Sequence, residues 1–407
     1  MRILFICHRF PFPPNRGGKI RPFQMIRHLS EKHRVTVASL AHSQAEMDAG
    51  AGLRDHCAEI IAEVLPDSTR WPQAVLGLAQ SVPSSVEYFR SNRLHQRVRE
   101  AWLREKFDAV MVHCAFVAQY AADLPGGLHI LDYGDLDSTK WMDYSEHRAF
   151  PLSLGYAIEA KKLRRYERAM AERFDLITVT TRGEADEFRT LGVDKPCTVI
   201  PNGVDGKFFQ PATMGGGTQP VIVFLGRMDY FPNIDGILWF IHDVFPRIRQ
   251  AMPGAQVRVV GADPSAEIRR LARIDGVTVT GFVKDVRPYL NEATVAIAPL
   301  RIARGTQNKI LECMAAGIPV VSTGQAAKGI AATPGEHLLV ADNAEDFSRD
   351  VLELLRDTEW RKRLATAARA QVEQAHAWPA SMRILDQVLE EGLAMREAPE
   401  CSSPLQR

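Results

Sequence analysis

Short, nearly continuous apolar runs recur along the chain: Ile3 to Cys7, Val35 to Leu40, Ala109 to Cys114, Leu128 to Asp132, Leu176 to Thr180 and Thr198 to Ile200. The second half repeats the pattern at Val221 to Leu225, Gln256 to Val260, Val277 to Thr280, Val295 to Leu300 and Pro319 to Ser322. Short apolar runs without alternation mark strands covered on both faces, as in parallel sheets. Between them apolar positions return at helical spacing, as with Ile20, Phe23, Met25, Ile26 and Leu29, or Ile310, Leu311, Met314 and Ala315. Strand, helix and strand in succession predict an α/β protein with two doubly wound parallel sheets. Residues 45 to 105 read only as mixed helix and strand, and after Val340 the pattern is helical over 344–356, 359–374 and 380–395.

The two halves part at the turn Pro201-Asn202-Gly203-Val204-Asp205 and the Gly-, Pro- and Thr-rich residues after it. The expected organisation is a first domain over 1–200, a linker over 201–219 and a second domain over 220–378. A last helix over 379–396 is expected to pack back on the first domain, with a polar tail over 397–407. A length of 407 residues suits two domains of ordinary size.

Composition narrows the function classes. Hydrophobic residues make up 46% and charged residues 24%, as in a soluble globular protein. Fifty basic against 49 acidic residues leave a net charge of +1, which disfavours nucleic acid as a principal partner. The six cysteines show no C-x-x-C spacing and mostly sit in apolar runs, as in a reduced, cytoplasmic protein with neither zinc site nor disulfide frame. The first apolar run is interrupted at His8 and Arg9, too soon for a signal peptide. No run reaches the ~18 residues of a membrane-spanning helix.

In doubly wound sheets ligands bind at the carboxyl ends of the strands, beside helix N-termini. The passage Arg304-Gly305-Thr306-Gln307-Asn308-Lys309-Ile310-Leu311-Glu312 lies at such an end, and Gly317 stands where a helix C-cap is expected. Lys309 and Glu312 are three apart and share a helix face. A lysine there suits a phosphate, and a carboxylate one turn on can accept from two vicinal hydroxyls of a ribose. An exposed ion pair explains the same spacing equally well. Gly226-Arg227 ends another strand, where a guanidinium can grip a diphosphate in two-point fashion.

In the first half, Gly17 and Gly18 follow the first strand and open a helix, allowing close backbone approach to a phosphate or simply a tight turn. His113 ends a strand, a position open to a ligand or to a structural role. Asp135 and Asp137 have the spacing of a metal site, although a helix N-cap with acidic first-turn residues is the favoured reading. A basic helix over about 154–174 carries Lys161, Lys162, Arg164, Arg165, Arg168 and Arg173 among three glutamates. A solvated face is the default there, and peripheral contact with an anionic membrane the alternative.

Taken together these residues resemble the GT-B glycosyltransferases, in particular family four of retaining, nucleotide-sugar-dependent enzymes. Leu311-Glu312-Cys313-Met314-Ala315-Ala316-Gly317-Ile318-Pro319-Val320-Val321 is the most specific mark, and Asn202-Gly203-Val204-Asp205 the next. The resemblance implies two Rossmann-like domains facing across a cleft. It implies that Glu312 holds ribose hydroxyls, Arg227 the donor diphosphate, and the backbone of Gly281, Phe282 and Val283 the base. Gly17 and Gly18 would meet the diphosphate and His113 the transferred sugar, with Gly226, Gly305 and Thr306 also lining the donor. Two departures stand out: Arg304 occupies the place of the first glutamate of the family's E-x7-E pair, and Pro232 that of a lysine five residues after Arg227. Lys309, helped by Arg304, is the expected replacement for that phosphate cation. The wording around Met228 to Asn233 and Arg304 to Glu312 looks most like a bacterial branch associated with exopolysaccharide systems linked to PEP-CTERM protein sorting.

The reaction so implied is transfer of a sugar from a nucleotide diphosphate sugar to a glycan or lipid-linked acceptor, with retention and without metal or other cofactor. The expected location is the cytoplasm, with peripheral attachment at the inner membrane face as a variant. A nucleotide-sugar epimerase on the same architecture would differ by turning over without acceptor. A non-catalytic sugar-nucleotide-binding protein would bind donor without turnover. A dinucleotide-dependent oxidoreductase is disfavoured, because neither half carries G-x-G-x-x-G after its first strand.

Overall fold

The computed structural model describes residues 1–78, 80–211 and 220–397. Residues 212–219 of the expected linker, the tail beyond Glu397 and Cys401 with it lie outside these. The chain divides into two units, Pro201–Ser381 forming one and Met1–Ile200 with the residues from Met382 onward the other.

The first unit is built on seven parallel strands: β1 (Arg2–Cys7), β2 (Arg34–Ala41), β3 (Glu59–Val64), β4 (Ala109–His113), β5 (Leu128–Gly134), β6 (Leu176–Val179) and β7 (Cys197–Val199). Their order across the sheet is β3-β2-β1-β4-β5-β6-β7. All five residues of β4 and all seven of β5 are buried, which is why their sequences read as unbroken apolar runs. Residues 45 to 105 were ambiguous for a physical reason. β3 is an edge strand covered on little of its surface, and Pro72 stands inside the helix Asp67–Leu78. The last helix, Trp378–Glu397, lies against this unit: the Asp386 carboxylate is 2.8 Å from His28 Nε2 and 3.1 Å from Lys32 Nζ.

The second unit carries six parallel strands: β8 (Val221–Leu225), β9 (Gln256–Val260), β10 (Val277–Val279), β11 (Val295–Ala298), β12 (Val320–Ser322) and β13 (Leu339–Val340). Their order is β10-β9-β8-β11-β12-β13. β11 stops at Ala298, short of the expected Leu300, because Pro299 has no N–H for the ladder. The helical stretch after β8 is interrupted by a wider turn at Phe240–Val244, ahead of Pro246, which again removes a donor.

Both sheets therefore reverse direction once, between β1 and β4 and between β8 and β11. Strand ends at such a reversal splay their following loops apart and leave a crevice for ligand. In the second unit the ends of β8 and β9 are drawn together: Gly226 N donates to Val260 O at 3.1 Å, and Met228 N to Ala262 O at 2.8 Å. A Cβ on Gly261 would fall 1.6 Å from the Gly226 carbonyl oxygen. Gly261→Ala is therefore expected to force the two strand ends apart and destabilise the second unit by ~3 kcal/mol or more. A thermal unfolding midpoint within a degree or two of the parent would contradict that packing.

Candidate functional site

At the reversal in the second unit, the helix Asn308–Ala315 follows β11 and is closed by Gly317 at φ 71°. Gly317 N bonds Met314 O at 3.0 Å and Ile318 N bonds Cys313 O at 3.0 Å, as a left-handed cap requires. Ile310, Leu311, Cys313 and Met314 face the core, leaving Lys309 and Glu312 on the opposite, half-buried side. The Lys309 ammonium donates to Asn233 Oδ1 and sits 4.7 Å from the centre of the Phe224 ring, a cation–π contact. A Cβ on Gly226 would be 2.7 Å from Asn233 Nδ2 and 3.2 Å from Lys309 Nζ, so only glycine lets these groups close over the end of β8.

Burial pushes the Lys309 ammonium down to about 7, against the pull of Glu312. Burial likewise pushes the Glu312 carboxyl up to about 7, with Lys309 opposing. No described donor bonds the Glu312 carboxylate. Two charged groups are thus held near their switching point, each short of the partners that would stabilise its charge.

Arg227 is placed differently. Its guanidinium makes two bonds to Asp229, at 3.0 and 2.6 Å, and one to Asp263 at 2.9 Å. With 41% of the side chain exposed, these pairs are weakly held and an incoming anion can displace them. Arg304 to Thr306 form the loop before the helix. Gly305 turns with φ 60°, its carbonyl against Gly329, and the Thr306 hydroxyl oxygen is buried with no bonding partner among the described residues. Gly281 turns at φ 71° after β10 and leaves Phe282 73% exposed, followed by Val283. In the sheet β10 is separated from β8 by β9.

In the first unit the helix Gly17–Ser30 begins at Gly17 with no side-chain cap. A Cβ on Gly18 would be 3.7 Å from His8 Nε2, and the His8 ring centre lies 5.7 Å from that of His113. His113 Nδ1 is 2.7 Å from Asp132 Oδ2. Asp132 is fully buried and also accepts from Arg21 at 2.9 and 2.7 Å and from Thr178 at 2.7 Å. Burial alone would raise this carboxyl, but Arg21 and His113 outweigh it and hold it well below the usual carboxylate range. An ionised Asp132 fixes the proton on His113 Nδ1 and leaves Nε2 as the acceptor nitrogen of the ring. Burial, then Arg9, holds His8 well below its ordinary value and therefore neutral. Its Nε2 accepts from Arg9 Nε at 3.2 Å, and its Nδ1 is buried without a bonding partner among the described residues.

The expected cap at Asp135 is corrected. Asp135 accepts from the Thr180 hydroxyl, and the helix Asp137–Glu146 has no side-chain cap at its own N-cap residue. Its first N–H groups are met from other helices, Leu136 N by Glu184 at 2.8 Å and Ser138 N by Glu167 at 3.1 Å. Asp137 lies 3.5 Å from Lys140 and 3.8 Å from the Cys114 sulfur. Among the described residues no three His, Cys, Asp or Glu side chains gather at metal-binding spacing.

The geometry adds His8, Arg21, Asp132 and Asn233 to the residues singled out from sequence. A signal for the first group was present: Cys7, His113 and Asp132 stand in register on adjacent strands, so the polar residues ending β4 and β5 meet.

Comparison with known proteins bears on the fold and on the kind of protein. Residues 15–208 match the family model described as Glycosyltransferase Family 4, and residues 219–357 the model described as Glycosyl transferases group 1. Both models are of glycosyltransferases, and the two parallel-sheet units have the GT-B fold. Sucrose-phosphate synthase from Thermosynechococcus elongatus superposes with a TM-score of 0.73 over 97% of this chain and 99% of its own, at 17% identity. Anabaena HepE, solved with UDP, superposes with a TM-score of 0.70 over 96% and 100% at 14% identity, and it has also been solved with UDP-glucose. A GDP-mannose-dependent monoacylated alpha-(1-6)-phosphatidylinositol monomannoside mannosyltransferase of Corynebacterium glutamicum is 26% identical over 235 residues. That match takes in 52% of this chain and 61% of the mannosyltransferase.

Removing the charge on Asp132 isolates the histidine-side network. Asp132→Asn leaves the Arg21 guanidinium, 3% exposed, without its counter-charge, and is expected to cost ~3–5 kcal/mol in denaturant unfolding. Because the folded carboxyl is depressed, this stabilisation is present at every pH above the ordinary carboxylate range and is lost only as pH falls below it. A cost below ~1 kcal/mol would show that Arg21 is satisfied elsewhere.

Proposed function

We propose that the chain transfers a hexose from a nucleotide diphosphate sugar to a glycan or lipid-linked acceptor, with retention at the anomeric carbon and without a metal. The observation that carries this reading is the Lys309–Glu312 pair beside Gly226 at the reversal of the second sheet. A diphosphate would supply Lys309 with the negative partner it lacks, and a ribose would supply Glu312 with two hydroxyl donors. Arg227, released from Asp229 and Asp263, and Arg304 would add positive charge. The N–H groups that open the helix Asn308–Ala315, with Gly305 and Thr306 before them, would add donors. Gly281, Phe282 and Val283 are assigned to the base through their backbone. Gly17 and Gly18 are assigned to the diphosphate, and His113 through Nε2 to a hydroxyl of the transferred sugar.

In the reaction the bond from the anomeric carbon to the diphosphate oxygen breaks, and a bond to the acceptor oxygen forms on the same face. The acceptor proton passes to the departing phosphate oxygen. Charge that grows on the leaving group is met by Lys309 and the helix N-terminus, and by Arg227 once the donor has drawn it from its aspartates. One relative is GDP-mannose-dependent and a structural neighbour was solved with UDP-glucose, which supports a nucleotide-sugar donor. A place in exopolysaccharide synthesis rests on the wording of the two donor-side motifs and is part of the same proposal, as is a cytoplasmic site of action.

Donor binding should be readable without any acceptor. In a thermal-shift panel of nucleotide sugars the matching donor, at a hundredfold excess over its Kd, is expected to stabilise the parent by about 2.7 kcal/mol. Lys309→Ala and Glu312→Gln should each abolish the shift; an undiminished shift in both would remove the pair from the donor site. Binding should be tightest near pH 7. It weakens toward acid as Glu312 takes up a proton, and toward alkali as Lys309 loses one.

With a competent acceptor, proton NMR of the first product should show the donor's anomeric configuration, and added chelator should leave the rate unchanged. An inverted product would overturn retention. Loss of turnover in chelator would return Asp135 and Asp137 to consideration as metal ligands.

A further inference from the structure

The helix Asp67–Leu78 starts just beyond the carboxyl end of β3 and exposes an aromatic side chain at its second turn. Trp71 keeps 61% of its surface in water, although a ring of that size is ordinarily well buried. Asp67 precedes it by four residues and so stands on the same helix face, one turn nearer the strand end. Tyr88 joins the two. Its ring meets the indole edge-to-face with centres 5.5 Å apart, and its hydroxyl donates to Asp67 Oδ1 at 2.9 Å. His42, the first residue after β2, is bound to the same oxygen through Nδ1 at 3.0 Å. Arg70 makes the group rigid. It is fully buried, it donates to the carbonyls of Ala41 and Leu65, and its Cζ lies 5.3 Å from the centre of the Tyr88 ring. The ends of β2 and β3 and the Tyr88 ring are thereby held together ahead of any ligand.

The polar atoms of this group are set to accept. The bonds from Tyr88 and His42 hold the Asp67 carboxyl below its ordinary range, so it is ionised, and both fall on Oδ1. No described donor meets Oδ2. Burial, then Arg70, lowers His42, so its ring is neutral; with the proton on Nδ1 toward the carboxylate, Nε2 is an acceptor as well. Two acceptors beside an exposed indole suit a pyranose ring, which carries hydroxyl donors around its rim and an apolar face of C–H groups that can lie on an aromatic surface. An ionised carboxylate argues against a lipid tail or an apolar peptide at the same spot.

We propose that Trp71, Asp67 and His42 bind a pyranose unit of a saccharide acceptor, apart from the unit that reacts. Position supplies the second half of the inference. The group lies at the ends of β2 and β3, and β3 stands two strands from β1, roughly 10 Å across the sheet from the reversal. One sugar ring does not span that distance, so the acceptor is an oligosaccharide with its reacting end at the reversal and a further ring on Trp71. Calling the saccharide an acceptor rests on the sugar-transfer reading; the saccharide site itself does not.

The test is saturation-transfer NMR on the full chain with the methyl glycosides of glucose, mannose and galactose. With the aromatic protons of the protein saturated, at least one glycoside is expected to receive magnetisation at its ring C–H protons. Trp71→Ala should lower that transfer ~10-fold or more, Trp71→Phe should keep part of it, and Asp67→Ala should lower it as well. Trp71 is exposed, so its variants should keep the parent's melting temperature. Undiminished transfer in Trp71→Ala, or no transfer to any of the three glycosides, would overturn the proposal. So would loss of the nucleotide-sugar thermal shift in Trp71→Ala, because Trp71 would then serve the donor. Among acceptors that turn over, lengthening from one sugar to two should lower KM in the parent and not in Trp71→Ala; equal KM at both lengths in the parent would sink the oligosaccharide half. Transfer through Trp71 in a chain that binds no nucleotide sugar would leave the saccharide site standing and remove the sugar-transfer reading, so the two fail separately.

Discussion

The reversal of strand order beside β1 and again beside β8 is the constraint from which the candidate chemistry follows. Parallel strands need crossover helices, and a sheet wound outward from its middle places successive helices on opposite faces. Where winding changes direction, the two following loops part and expose strand ends and helix N-termini together. Each unit uses that place in the same way: a glycine lets the backbone or a neighbour come close, and a charged or imidazole side chain stands over it. Gly18 beside His8 plays this part in the first unit, and Gly226 beneath Asn233 and Lys309 in the second.

The two units handle buried charge in opposite ways, and the contrast separates support from function. Asp132 is surrounded by Arg21, Thr178 and His113, so nearly all of its acceptor capacity is used and its charge is secure. Such a network holds a side chain in one orientation, here the His113 ring. Lys309 has one amide oxygen and an aromatic face, and Glu312 has no bonding donor among the described residues. An incompletely satisfied charged pair is costly to fold around. Its persistence at the strand ends makes sense if a ligand completes it. The same distinction applies to Arg227, whose exposed aspartates are partners that water competes with and a diphosphate can replace.

The hydrophobic pattern alone was sufficient for the architecture, because strands buried on both faces leave unbroken apolar runs whatever their neighbours are. Val221 to Leu225 and Ala109 to His113 were legible for that reason. The pattern failed where burial was partial, at the edge strand β3, and where proline altered the backbone ladder, at Pro299. Lys309 and Glu312 were legible as candidates from helical spacing. What spacing could not supply was their depth, since half-burial depends on Phe224 and Asn233, which are distant in the chain.

Sequence by itself thus determined the number of sheets, the position of the glycine-bearing strand ends and the identity of the charged groups near them, because these follow from local periodicity. Only the tertiary structure decided which of those groups meet. Asp132 proved to belong with Arg21, 111 residues away, and the N-terminus of the helix Asp137–Glu146 to be capped by Glu167 and Glu184 instead of by Asp135. It also showed which residues of the basic helix stay exposed, Lys161, Arg165 and Arg168 among them, since which side a helix presents is set by what packs against the other. Pairing and exposure are properties of neighbours brought together by the fold, and a linear pattern does not contain them.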